Sequence, residues 1–69
     1  MKNVRITVRD NVQLSLNPDT LAHEGPSMTP ATTALAVQTT RNRRGSQVTL
    51  VRPTAGGLGW VRTRELVKL

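Results

Sequence analysis

Apolar residues in this chain recur at every second position, and no segment sustains the three-to-four spacing of a helix. That confines the chain to sheet architectures. Val4, Ile6 and Val8 alternate with Asn3, Arg5, Thr7 and Arg9, and Val12, Leu14 and Leu16 repeat the pattern. Alternation of this kind marks strands with one buried face. Pro18, Pro26 and Pro30 exclude a central strand between them. A chain of 69 residues buries only ~60% of the surface its unfolded form exposes, so its core is small. The expectation is a single all-β domain over residues 1–69, a barrel or half-barrel of about five strands with at most one short helical turn.

Parity constrains the first turn. A two-residue loop at Asp10-Asn11 would set Arg9 opposite Val12 and bring charge onto the apolar face. A three-residue loop, Arg9-Asp10-Asn11, pairs Val8 with Val12, Ile6 with Leu14 and Val4 with Leu16, and Asn11 tolerates the left-handed conformation such loops use. Residues 17–31 follow as an irregular Pro-rich loop, in which Asp19 to His23 can form one helical turn capped by Asn17 or Asp19. Thr32 to Thr40 reads as the third strand, with Leu35 and Val37 inward and Ala34, Ala36, Gln38 and Thr40 outward. Ser46 to Arg52 is the fourth, with Val48 and Leu50 inward; pairing Val37 with Val48 aligns Leu35 with Leu50. That register requires an even loop, Arg41-Asn42-Arg43-Arg44, closed by Gly45. Ala55-Gly56-Gly57 turns the chain into a fifth strand, Gly59 to Arg62. Thr63-Arg64-Glu65 then tightens into a helical turn before Val67-Lys68-Leu69 closes the sheet.

The C-terminal third reads Arg44-Gly45-Ser46-Gln47-Val48-Thr49-Leu50-Val51 and then Gly56-Gly57-Leu58-Gly59-Trp60-Val61-Arg62-Thr63-Arg64-Glu65-Leu66. It resembles pieces of Src-homology-three and bacterial Src-homology-three-like barrels. Two features carry the resemblance: a basic-Gly-polar entry into a strand, and a Gly-x-x-Gly-apolar-Val/Ile stretch leading through a short helical turn to a final apolar residue. The resemblance implies small-barrel architecture. Arg62 and Glu65 stand where the eukaryotic family holds its ligand-binding Pro and Tyr, and Trp60 is the only aromatic residue, so recognition of proline-rich peptides does not carry over. The link from Val51 to Gly56 is also too short for the extra strand these families place there. The bacterial branch would imply a peptide- or cell-wall-binding module, a third reading weakened by the lack of an aromatic groove.

Without Cys and with one His, the chain offers no thiolate nucleophile, no disulfide and no all-protein zinc site. No metal and no cofactor is expected. His23 has Asp19, Glu24 and Ser27 near it in sequence, but neighbours on an irregular loop do not make an oriented acid/base or nucleophile/base pair. Gly56-Gly57-Leu58-Gly59 lacks the helix and the Lys-Ser/Thr of a nucleotide loop and reads as a hairpin turn. No catalytic residue and no small-molecule substrate are therefore expected. The longest apolar run, Ala34-Leu35-Ala36-Val37, falls far short of the ~20 residues of a membrane span. Charge interrupts the apolar residues between Met1 and Thr7, unlike the core of a secretory signal. The expected location is cytoplasmic or virion-associated, with no membrane insertion.

Ten Lys/Arg oppose four Asp/Glu, a formal net charge of +6. Most of the basic residues are arginine, which donates bidentate hydrogen bonds to phosphate or carboxylate and sheds hydration more readily than lysine. Arg41, Arg43 and Arg44 crowd one loop tip, Arg62 and Arg64 form a predicted same-face pair, and Arg5 and Arg9 extend the surface along the first strand. Basic side chains also block edge-to-edge strand pairing, but four acidic residues are too few to intersperse this surface. The leading expectation is a non-enzymatic protein that contacts a polyanion, the phosphate backbone of DNA or RNA, through counterion release. Trp60 reads first as a packing residue and second as a partner contact. Met28 belongs to an extended Thr29 to Thr33 arm able to touch a protein partner or a second copy. The alternative is a small structural or assembly protein, such as a viral capsid-associated or head-completion component packing on larger subunits.

Overall fold

Both edges of the first strand are occupied, and this decides the rest of the fold. In the computed structural model, which describes residues 3–69, β1 (Val4–Val8) pairs antiparallel with β4 (Ala34–Arg41) on one side and β7 (Leu66–Lys68) on the other. β4 continues to β5 (Gln47–Pro53) and β5 to β6 (Gly59–Arg62), giving a five-stranded sheet in the order β6-β5-β4-β1-β7. A second sheet holds only the short strands β2 (Val12–Gln13) and β3 (Ser27–Met28). The chain is thus all-β. The one helical element among the described residues is the 3₁₀ turn Thr63–Glu65, at the place where the sequence predicts a helical turn. Among the described residues the sheet does not close between β6 and β7, and no helix is long and apolar enough to cross a membrane.

The predicted hairpin between the first two alternating runs does not form. β4 and β7 take the hydrogen-bonding edges of β1, so residues 12–16 leave the sheet and cover it instead. Ile6 and Leu14 share the core as expected, but from opposite layers rather than as partners in a ladder. Leu16, expected opposite Val4, is exposed. The small sheet is tied back to the large one where Ser15 bridges Trp60: Ser15 N–H donates to the Trp60 carbonyl (2.8 Å) and Trp60 N–H to that of Ser15 (2.6 Å).

Over Ala34 to Ala36 the faces of β4 are the reverse of the prediction, while Gln38 and Thr40 are exposed as predicted. Ala34 lies in the ladder between Ile6 and Pro53, and Ala36 between Val4 and Val51. Their bulkier neighbours fill the space above the small side chains, both alanines are buried, and Leu35 turns out. A bulge at Val37 then shifts the register, so Gln38 meets Leu50 and Thr40 meets Val48. Arg41 pairs with Gln47, which leaves a five-residue loop, 42–46, in place of the predicted even one. On β5 the core face carries Thr49 and Val51; Val48 is fully buried on the opposite face.

The core gathers Ile6, Val8, Ala34, Ala36, Val51, Val61 and Leu66 from the large sheet and closes with Met28 from the small one and with Leu14, the residue that follows β2. Full burial of a Val, Leu, Ile or Met side chain is worth ~1.5–3 kcal/mol. Met28 is only 1% exposed, which overturns its assignment as a partner contact: this flexible apolar side chain is part of the core's lid. The arm after it is a closed turn, in which Thr32 N–H donates to the Thr29 carbonyl (2.8 Å) and Thr7 Oγ1 donates to the Thr32 carbonyl (2.6 Å). The Asn17-capped turn forms but stops early. Asn17 Oδ1 accepts from the N–H groups of Asp19 (2.8 Å) and Thr20 (3.3 Å), and Leu21, at φ 53°, ends it before His23.

Candidate polyanion interface

Strand parity sorts the charges. Residues of β1, β4, β5 and β6 that alternate with the core positions form the outer face, and on it Arg5, Leu35 and Arg52 stand in one row across three strands. Adjacent strands lie ~4.8 Å apart, which puts the Arg5 and Arg52 backbones ~10 Å from each other with Leu35 between. The next rows are Gln38, Leu50 and Trp60, then Thr40, Val48 and Arg62. Arg5, Arg52 and Arg62 are all exposed. No carboxylate shares this face: Asp10, Asp19 and Glu24 sit in loops and Glu65 in the 3₁₀ turn. Every charged residue within a strand is basic. Arg52 escaped the sequence reading because nothing basic flanks it along the chain; only register shows that it faces Arg5.

The tip of the β4–β5 hairpin holds the predicted trio, braced by the residue between them. Asn42 Oδ1 accepts from the N–H groups of Arg44 (3.0 Å) and Ser46 (2.9 Å), while its Nδ2 donates to the Pro18 carbonyl (2.9 Å). Gly45, at φ 85°, supplies the left-handed residue that lets the loop return. Arg41 Nη1 donates to the Gly45 carbonyl (2.8 Å). Asp19 accepts the Arg43 backbone N–H on Oδ1 (2.8 Å), and its Oδ2 lies 3.7 Å from the Arg43 Nε. One of the crowded charges is therefore balanced from within the chain. Both partners reach solvent, so this pair adds little stability. Arg44 makes no side-chain hydrogen bond among the described residues and is exposed.

Arg62 and Arg64 are not a same-face pair, because the 3₁₀ turn between them ends the strand alternation. Arg64 instead meets Arg9, whose Nε donates to the Arg64 carbonyl (3.2 Å) while its backbone N–H donates to the Glu65 carbonyl (3.1 Å). Arg9 thereby pins the turn to the end of β1. The basic residues thus resolve into an outer-face stripe (Arg5, Arg52, Arg62), a hairpin tip (Arg41, Arg43, Arg44) and a pair at the 3₁₀ turn (Arg9, Arg64). Segment 17–23 borders both tip and stripe: Asp19 reaches Arg43, and Leu21 and His23 line a pocket with Trp60 and Arg62. His23 Nδ1 donates to the Gln13 carbonyl (2.8 Å), so this histidine is anchored rather than loose.

Comparison with protein-family models, with curated proteins and with solved structures returned no match.

Proposed function

We propose that this chain is a non-enzymatic binding protein that holds a polyanion, the phosphate backbone of DNA or RNA, against its arginine-bearing outer face and hairpin tip. The observation that carries this reading is the segregation of charge. Strands β1, β5 and β6 of one sheet present Arg5, Arg52 and Arg62 on a face without a carboxylate, and all four acidic residues are confined to loops and turns. Guanidinium groups so placed displace counterions from a phosphate chain, a term that depends steeply on salt. The architecture we propose is Src-homology-three-like. A sheet order in which the last strand returns through a 3₁₀ turn to pair with the first supports it. The short link after Pro53 is accommodated because β5 and β6 pair directly.

The test is titration of the protein with fluorescent oligonucleotides across a salt series. Affinity should fall by orders of magnitude between roughly 50 and 200 mM salt if the stripe and tip together neutralise six or more phosphates. Binding that ignores salt, or no binding at low salt, rejects the reading.

A second reading, a small assembly protein, is favoured by Leu16 and Leu58, large apolar side chains that are 61% and 44% exposed. Stoichiometric recovery in a large particle, against a free monomer, separates the two.

A further inference from the structure

The pocket beside the stripe differs from it in chemistry. It is a cleft of about 60 Å³ between the edge of β6 and segment 21–23, and the half-buried Trp60, His23 and Arg62 are among the residues that line it. All three carry planar side-chain groups. The Nδ1 bond to the Gln13 carbonyl holds His23 at the rim, and the two backbone hydrogen bonds between Ser15 and Trp60 fix the strand that carries the indole. Glu65 and Gln13 also line the cleft. A carboxylate there repels a phosphate but accepts hydrogen bonds from an amino group.

Resting on the polyanion reading above, we infer that the ligand is single-stranded nucleic acid and that this cleft takes one unstacked base. The base lies against Trp60 and His23 while its phosphates run past Arg62 toward Arg43 and Arg44. Three observations point this way. The cleft, at about 60 Å³, is too small to enclose a base, so stacking on its walls is the contact it offers. Every nucleobase has a flat face, and stacking on an aromatic side chain suits any of them. Arg62 belongs both to the cleft and to the outer-face stripe, and segment 17–23 joins the cleft to the tip through Asp19 and Arg43. Base and phosphate sites are therefore contiguous. A duplex keeps its bases stacked inside and can satisfy only the phosphate half. Glu65 further favours a base with an exocyclic amine, as cytosine has, over thymine.

Trp60 is the only tryptophan, and the chain has no tyrosine, so intrinsic fluorescence reports on this cleft alone. The experiment titrates the protein at low salt and neutral pH with three probes: a short oligodeoxycytidylate, the matching duplex, and linear polyphosphate, which has the charge without bases. The expected result is quenching of Trp60 by oligodeoxycytidylate, with little quenching by duplex and none by polyphosphate although both bind. His23→Ala should weaken oligodeoxycytidylate roughly 5- to 150-fold relative to polyphosphate, the range of one lost stacking contact. Equal affinities for oligodeoxycytidylate and polyphosphate, with Trp60 emission unchanged, overturn the base site and leave the phosphate reading standing. Failure of all three probes to bind removes both.

Discussion

At the scale of single residues, the positions that shape this protein are those where a small side chain makes room for a large one. Gly59 is buried on β6, and a Cβ built there would overlap the Leu14 side chain that covers it from the other layer. The sequence presents this glycine as one of a turn-forming cluster, Gly56-Gly57-Leu58-Gly59, and gives no sign that it serves packing. Gly59→Ala should destabilise the fold by ~1–3 kcal/mol, the usual cost of overpacking a core. In a domain this small that lowers Tm by roughly 4–8 °C for each kcal/mol, readable by thermal denaturation. An unchanged Tm would mean that Leu14 can step aside and that the two layers are not in close contact. Ala34 and Ala36 follow the same logic. Hydrophobicity favoured Leu35 for the core, but space between neighbouring strands favoured the alanines, and space won.

At the scale of elements, strand positions were legible and partners were not. The runs at Val4 to Val8, Gly59 to Arg62 and the closing residues became strands as their alternation predicts, because a half-buried strand writes its period into the sequence. Pairing depends on which edges are free, and local pattern is silent on that. Alternation alone pairs β1 with the nearest run, Val12 to Leu16, whereas β4 and β7 pair with it. The bulge at Val37 was equally invisible, since an extra residue shifts parity without leaving a signature in composition. The hairpin tip is the element whose order depends most on one side chain. Asn42 makes three hydrogen bonds that tie loop 42–46 to itself and to the Pro18 turn. Asn42→Ala removes them together and should cost ~1–3 kcal/mol, given ~1 kcal/mol per bond. Backbone amides 43–46 should then exchange faster than those of β4 and β5; uniform exchange across the hairpin would show that the brace is dispensable.

For the whole molecule, the excess of positive charge matters through its placement. Most of the candidate arginines were visible as residues in the sequence, yet the grouping that gives them meaning was not. Arg9 turned out to pin the 3₁₀ turn, Arg43 to face Asp19, and the isolated Arg52 to stand across Leu35 from Arg5. A comparison of two variants separates placement from sum. Arg52 lies on the outer face, whereas Lys68 is exposed on β7 in register with core-facing Ile6, so it has the opposite parity. Arg52→Gln and Lys68→Gln remove the same charge and leave the same net charge. If the outer face holds the phosphates, the slope of log affinity against log salt should become shallower by ~0.7 for single strands, or ~0.9 for duplex, in the Arg52 variant alone. If only the molecule's total field attracts the ligand, the two variants should weaken binding equally with matching slopes. Equal behaviour would move the interface off the sheet and onto the tip, where Arg41 and Arg44 would have to hold the ligand.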